Sequence, residues 1–508
     1  MIVRFIQLLV FVQLVRGDYH WPSPLIDQLE GLLYEGKQEG LPDRVVDLLA
    51  QLNGCIPQDN NGSTAAEWIR FAYHDMATHN IDDGTGGLDN SINVGGDLEA
   101  AMFDFIDFPN KYLFYSDVTA IGVVLATVGC GGPVVALRGG RIDASSAGPP
   151  GVPTPDQSLD DFIESFRKQG FTQEEMIALV ACGHTVGGVH NPDFPTLVPP
   201  GNIQFEDNIV LFDGTPQFDN AIVTQYLDGT TDDLLVIGAN GNSTLSSDLR
   251  VFSSDGNVTM QSLASPENFA STCATLLGRM IDTVPSNVTL TDGIQPLPVK
   301  VAGVQLAPGQ DDTLVLNLTL RLLSNTARQV TLHWADRDST TCASGTCSAS
   351  PTNSALVTTP LVGALGLSPI KYTFSTPIAD TSIGTFWFEV DGQVENNGGS
   401  GYAIEQDRVL FVPGRSTLGA SFTIVAAVRN DSVPSRVYIN PYQRDTIVIR
   451  TASVNLTLDA SIPPAAGYNF YSGSVFAQDF TFDLFAEIDG MIYEEEFRDT
   501  HWIPSEFS

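Results

Sequence analysis

Apolar residues recur at helical spacing in the first half of the chain and at alternate positions in the second. Between about Asp18 and Asp282 they fall three and four apart, in segments joined by Gly-, Pro- and Asp-rich loops. Thr64-x-x-Glu67 has the form of a capping box and predicts a helix over AAEWIRFAYHDMA. Thr172-x-x-Glu175 predicts another over MIALVACGHTVGG, stopped by Gly187 and Gly188. The stretch 284–298, with three prolines and a glycosylation sequon, predicts a linker. Beyond it the period becomes two. Leu314, Leu316, Leu318, Leu320 and Leu322 alternate along one strand, and shorter runs recur at RQVTLHWA, IKYTFS, TFWFEV, SFTIVAAV and TIVIR. Asp489-Gly490 predicts a two-residue hairpin turn. The pattern is therefore a mainly α domain over 18–283, a linker over 284–298 and an all-β, sandwich-like domain over 299–508.

Charge narrows the choice of partners. The 508 residues carry 24 Lys+Arg against 60 Asp+Glu, a formal charge of −36. Such a chain has no extended basic surface for a phosphate backbone or an anionic bilayer, so neither nucleic acid nor membrane is an expected partner. Residues 1–17 place Arg4 before a short apolar run and end in small residues, which predicts a secretory signal peptide cut before Asp18. Seven N-x-S/T sequons, at Asn61, Asn242, Asn257, Asn287, Asn317, Asn430 and Asn455, fit an exported glycoprotein. Six cysteines, an even number, suit disulfides in an oxidising compartment, and spacing alone leaves their pairing open. The charged ending EEEFRDTHWIPSEFS argues against a lipid anchor. The expected location is extracellular.

Two of the seven histidines sit on the two capped helices. Arg70 and His74 are four residues apart, so both lean over one face. His184 lies in the last turn of the other helix. Taken singly, either histidine is as readily a satisfied core or surface group. Read together, AAEWIRFAYHDMATHN, GTGGLDNSI, GGPVVALRGGRIDA, ALVACGHTVGGVH, QFDN and LSSDLRVF follow one another in an order that resembles the plant, fungal and bacterial haem peroxidase superfamily. The resemblance spans roughly Ser63 to Met280 and is nearest to a secreted fungal group.

That resemblance implies haem b as cofactor, with His184 as axial iron ligand and Asp248 accepting its Nδ1 proton, which makes the imidazole more anionic. It implies that His74 moves a proton between the two oxygens of hydrogen peroxide while Arg70 stabilises the charge on the leaving one. Asn93 is expected to accept the other ring proton of His74. Tyr73 takes a position where the family has Phe or Trp; its ring can pack beside the haem, and its hydroxyl needs a partner. Two calcium sites are implied: Asp75, Gly87, Asp89 and Ser91 beside the distal helix, and Thr185, Asp213, Thr215 and Asp219 beside the proximal one. The aspartate spacing in the second set is one residue shorter than the family's. The resemblance implies a Cys55–Cys130 disulfide; Cys182 and Cys273 can form a second, with a buried thiol at Cys182 as the alternative, and Cys342 and Cys347 a tight local one.

The positions that match manganese-binding acids read Ser63, Glu67 and His190, which disfavours manganese oxidation. No proximal tryptophan is present for a radical relay. The function this implies is a secreted peroxidase that reduces hydrogen peroxide and oxidises a small, phenolic or similar donor. The alternative is an extracellular glycan- or surface-binding protein that keeps the peroxidase fold as a scaffold. In that reading the β domain makes cell-wall or glycan contacts through Trp334, Trp387 or Trp502, although alternation in FWF places Trp387 in the core.

Overall fold

The computed structural model describes residues 14–16, 23–36, 55, 62–95, 110–149, 151–198, 200, 208–238, 243–309, 312–337, 347–379, 381–419, 421–445, 448–476 and 480–503. Its helical part contains α1 (Pro24–Glu35), α2 (Thr64–Met76), α3 (Ser91–Gly95), α4 (Tyr115–Gly129), α5 (Leu159–Lys168) and α6 (Gln173–His184). After these come α7 (Ala221–Asp228), α8 (Leu234–Ile237), α9 (Ser247–Phe252), α10 (Val258–Leu263) and α11 (Pro266–Asp282). Helix α4 is mostly apolar and buried from Tyr115 to Val128, with Asp117 paired to the buried Arg141 at 2.9 Å, so it forms the core rod. Gly122 lets α2 approach it closely, because a Cβ there would meet the Trp68 ring at 1.6 Å.

The two helix starts differ. Thr172 and Glu175 form the expected box: the Glu175 carboxylate accepts the Thr172 amide at 2.8 Å, and the Thr172 hydroxyl accepts the Glu175 amide at 3.3 Å. Helix α2 starts one residue early, with the Ser63 hydroxyl accepting the Ala66 amide at 3.2 Å. The Thr64–Glu67 box is therefore not formed, and the Glu67 side chain is left to line a cavity. Cys182–Cys273 joins α6 to α11, and Cys55–Cys130 anchors the chain ahead of α2. Cys347 is also disulfide-bonded, while Cys342, Asn61 and Asn242 lie outside the described residues.

The stretch 284–298 contains no helix or strand, but it is not a free tether. Backbone bonds strap it to the helical part: Ser286 donates to Gly84 O at 2.9 Å, and Thr291 and Ile294 donate to Gly139 O and Leu137 O, each at 2.8 Å.

From Val299 onward the chain is β. One antiparallel sheet orders Val299–Pro308, Leu314–Leu322, Ile370–Ile378 and Asn353–Leu356. Leu314 to Leu322 alternate as expected, with the leucines buried. Facing this sheet is a second one built on Val330–Asp336 and Ile383–Val390, and the two share one core. A third, ten-stranded sheet curls until Val409–Phe411 meets the strands Thr481–Ile488 and Met491–Asp499, enclosing a core of its own. Asp489 and Gly490, both at positive φ, make the predicted turn between Ile488 and Met491. Leu14–Arg16, inside the segment read as a signal peptide, pairs in parallel with Ile492–Glu494. Trp334 is buried, not exposed. Trp387 points away from the core that holds Phe386 and Phe388 and stacks on His333, because alternation puts 386 and 388 inward.

Helical and β parts meet through buried charge. Lys300, Arg321 and Lys371 lie in one register row across three neighbouring strands. Three cations so placed repel one another. Helix α1 answers them with Asp27, Glu30 and Glu35. Lys300 Nζ lies 2.7 Å from Glu30 and 3.2 Å from Asp27, Arg321 pairs with Glu30 and, at 3.1 Å, with Glu35, and Lys371 lies 2.6 Å from Glu35. Burial alone would raise the Glu30 carboxyl, but Lys300 and Arg321 outweigh it and hold it below the usual range. A helix inside the β part, α12 (Pro360–Ala364), adds Leu361 and Val362 to the helical core. Lys111, shortly before α4, reaches Asp483 at 2.7 Å and Glu496 at 2.9 Å. No helix among the described residues is long and apolar enough to cross a membrane.

Removing one partner of a buried network leaves the others uncompensated, at a cost of about 3–5 kcal/mol. Glu30→Ala is therefore expected to lower the urea midpoint by that equivalent, whereas Glu164→Ala, at an exposed pair, is expected to change it little.

Candidate active site

Helices α2 and α6 bound a cavity of about 560 Å³. Ala66, Glu67, Ile69, Arg70, Tyr73 and His74 line one wall, recurring at i, i+3, i+4 and i+7 along α2. Leu179, Val180, Gly183 and His184 of α6 line the other, and Val152–Pro155 and Phe194 complete it. Both imidazoles thus open into one space.

His184 is fixed from behind. Its Nδ1 lies 2.6 Å from Asp248 Oδ2, and its ring stacks on Phe212 with centroids 4.0 Å apart. A buried carboxylate here keeps the proton on Nδ1 and leaves a lone pair on Nε2. Asp248 also accepts the Ser247 hydroxyl at 3.2 Å. Asp233, fully buried nearby, was not apparent as a site residue from sequence. Burial and the Asp248 charge push its carboxyl well above the usual range.

His74 is different. Burial and then the Arg70 charge lower it to about 4, so the ring is neutral at ordinary pH. Tyr73 stacks on Phe166 at 5.9 Å; burial raises its phenol, and the Gln169 side chain lies within reach of the hydroxyl. Arg70 Nη2 donates to Asp193 at 2.7 Å, and Nη1 lies 4.0 Å from Glu67. Glu67 is 3.4 Å from His190 Nε2; burial raises its carboxyl, but His190 and Arg70 outweigh this and hold it below the usual range. Asp193 was missed in the sequence because it belongs to no motif. Its loop position follows the short Gly188–His190 strand and carries no periodic signal.

Asn93 does not take the place expected of it. It does not line the cavity, no hydrogen bond joins it to His74, and its amide donates to Asn90 one turn earlier. Its Oδ1 has no partner among the described residues. The short α3 turns this side chain back on its own loop.

Two oxygen-rich clusters flank the cavity helices. Asp75 accepts backbone amides from Asp89 at 2.8 Å, Asn90 at 2.6 Å and Ile92 at 3.0 Å, and the Ser91 hydroxyl stands 3.4 Å away. Gly87 O faces Thr78 Oγ1 at 3.5 Å. Burial raises the Asp75 carboxyl to about 7, despite those amides, and the Asp89 charge adds to the rise. On the other side Thr185 Oγ1 accepts the Asp219 amide at 3.2 Å, and Thr215 Oγ1 stands 3.3 Å from both Asp213 and Asp219. Burial and the Asp219 charge raise Asp213 to about 6, and its Oδ2 is buried with no partner among the described residues. An orphaned carboxylate oxygen amid hard donors suits a cation.

Residues 56–265 match the family model for peroxidase, which is therefore the kind of domain they form, within the haem peroxidase superfamily. The chain is similar to a WSC domain-containing protein of Arthroderma benhamiae, 37% identical over 61% of this chain and 44% of that protein. It is also similar to a mitochondrial cytochrome c peroxidase of Cryptococcus neoformans, 31% identical over 26% of this chain and 38% of the relative. A putative heme-binding peroxidase of Aspergillus fumigatus is 28% identical over 28% of this chain and 48% of its own length. The chain spans less than half the length of each of these relatives.

The clusters set a pH dependence whose sign follows from linkage. A carboxyl with a raised folded value binds its proton more tightly when folded, so its contribution is complete below the unfolded value and is lost as pH rises through the folded one. In chelator, Asp75 and Asp213 are expected to weaken the fold between pH values near 4 and 7. Asp213→Asn, with no proton to lose, is expected to lose less of its thermal midpoint over that interval than wild type, and equal slopes would contradict this account.

Proposed function

We propose that this chain is a secreted haem peroxidase that reduces hydrogen peroxide and oxidises a small aromatic donor in one-electron steps. The observation that carries the reading is a single cavity with a carboxylate-backed imidazole on one wall and, on the other, a neutral imidazole one turn from an arginine. The cavity volume falls within the ~300–1,000 Å³ usual for small-molecule and cofactor sites. Haem, when bound, supplies the redox change, taking two electrons' worth of oxidation from peroxide and returning it to donors.

The side chains divide the remaining work. His184 would hold the iron, with its Nδ1 hydrogen-bonded to the Asp248 carboxylate, a pairing that would make the imidazole a stronger electron donor. His74, being neutral, accepts the proton of one peroxide oxygen and returns it to the other, so that water leaves rather than hydroxide. Arg70 keeps its charge throughout and donates to the oxygen on which negative charge grows. Tyr73 and Phe166 give the cavity an aromatic wall. The apolar lining at Val152, Pro153, Pro155 and Phe194 favours an organic donor over a metal ion, and the pairing of Glu67 with His190 argues the same way against manganese.

Haem b and two calcium ions are the proposed cofactors. The Asp75–Asp89 cluster follows His74 directly, and Thr185 follows His184, so calcium would clamp each imidazole-bearing helix to a loop. Export is supported by the signal-like start and by sequon asparagines at the surface, with Asn287, Asn430 and Asn455 exposed.

The test is the visible spectrum of haem-loaded protein mixed with stoichiometric peroxide. Wild type is expected to convert rapidly to an oxidised spectrum, and Arg70→Leu at least tenfold more slowly, in line with losses on removing one charge-stabilising donor. The wild-type rate is expected to hold at neutral pH and to fall as pH drops through about 4, where His74 gains a proton. No spectral change in wild type, or an unchanged rate in Arg70→Leu, would remove the peroxidase reading. For calcium, chelator is expected to lower the thermal midpoint and added calcium to restore it. Loss of that restoration in Asp75→Asn or Asp213→Asn would assign the sites.

A further inference from the structure

The β part holds a second cavity, of about 470 Å³, remote in sequence from the peroxidase domain and independent of its chemistry. Its walls come from turns and strand ends: Arg337 at the end of Val330–Asp336, Thr381 before Ile383–Val390, and Glu405, Asp407 and Arg408 ahead of Val409–Phe411. Arg429 ends Phe422–Arg429, Asp431 follows it, and Tyr493 lies in Met491–Asp499. The five-stranded and ten-stranded sheets both contribute, so the cavity sits at their junction.

Its charges cancel internally. Three arginines face three carboxylates. Asp407 is 2.5 Å from Arg429 and 3.5 Å from Arg337, and Arg408 Nη1 lies 2.6 Å and 2.7 Å from the two oxygens of Asp431. Arg337 is further fixed by the carbonyls of Glu405 at 3.1 Å, Ile383 at 3.0 Å and Ile404 at 2.6 Å. The guanidinium groups are therefore held in place before any ligand arrives, and neither sign of charge is in surplus.

What remains for a ligand is a set of directional groups. The Thr381 hydroxyl is buried with no partner among the described residues, a state that costs free energy unless something completes it. The Glu405 carboxylate is exposed, Arg408 forms its ion pair through Nη1 alone, and Tyr493 brings an aromatic ring with a hydroxyl. Both donors and acceptors thus line a space the size of a small-molecule site. An anion would meet Glu405 and Asp431 on a chain of −36 charge, and a cation would meet three arginines. A hydroxyl both donates and accepts, so a neutral molecule carrying several of them meets every group without importing a net charge.

We propose that this junction cavity binds a neutral, polyhydroxylated ligand, a short oligosaccharide, through Thr381, Glu405, Arg408 and Tyr493. The site gives the β part a role that does not depend on haem, and it differs from the exposed tryptophans that sequence alone suggests. Such a site holds the protein on a neutral polysaccharide while the other cavity works on soluble molecules.

Calorimetric titration of the full chain tests it, with glucan and chitin hexamers as neutral probes, oligogalacturonate as an acidic probe and free glycine as a zwitterion. One of the neutral hexamers is expected to bind, and the double variant Thr381→Val/Tyr493→Phe to weaken it about tenfold, since two hydroxyl bonds are removed without changing shape. Arg408→Lys keeps the charge but loses the fork and is expected to weaken binding by a similar factor. Far-UV circular dichroism and the peroxide response of the haem-loaded variants are expected to match wild type, which separates loss of this site from failure of the peroxidase reading. Absence of binding by either hexamer, tighter binding of oligogalacturonate or glycine, or unchanged affinity in both variants would overturn the proposal.

Discussion

The separation between α2 and α6 is the constraint on which the rest depends. Each contributes one imidazole to a shared cavity, and neither ring is useful if the helices drift. Several independent devices hold that spacing. Trp68 on α2 is pressed into the gap that Gly122 leaves on the buried rod α4, and Cys182, two residues before His184, is tied to α11. The two acidic clusters bind loops to the ends of both helices. What differs between the walls is electrostatic. His184 has a carboxylate behind it, whereas His74 is largely buried beside a guanidinium that, with burial, keeps its ring neutral.

The same economy of charge joins the two halves of the chain. A protein so acidic has few cations to place, yet three stand in one row on the sheet face turned toward α1. Their mutual repulsion makes the row unfavourable without α1, and the desolvated carboxylates of α1 are unfavourable without the row. Each half therefore carries a group of charges that only the other neutralises. Leu361 and Val362 of α12 also join the helical core, and backbone bonds from the 284–298 stretch fasten it to the helical surface.

Much of this was legible in advance, and the parts that were not share a cause. Helix and strand periodicity located the change of fold near Val299, and the leucine alternation put Leu314 to Leu322 inward as it predicts. That His74, Arg70, His184 and Asp248 would come together around one cavity was legible because several short motifs occur in a fixed order. Local rules failed where a one-residue shift or a tertiary partner decides. Ser63 displaced Thr64 as the cap, and in FWF the core took the flanking phenylalanines instead of the tryptophan, a choice of phase that alternation alone leaves open. Asn93 turned to Asn90 because α3 is a single short turn. Asp193, Asp233 and the α1 network lay beyond local reading, since each depends on residues distant in sequence that only the fold brings together.

Asp193 changes how the distal arginine should be understood. With side chains 30% and 44% exposed, the Arg70–Asp193 pair is of the kind that contributes at most ~1 kcal/mol. That is enough to favour one position of a long side chain and too little to keep it from a stronger partner. In the proposed reaction, negative charge growing deeper in the cavity would attract the guanidinium more than a partly solvated carboxylate does, because the effective dielectric is lower there. Glu67, which could have competed for the same cation, is already engaged by His190. Arg70 is thus tied by a weak, partly exposed pair to Asp193, while Glu67 is taken by His190, a consequence of where three neighbouring side chains find their partners.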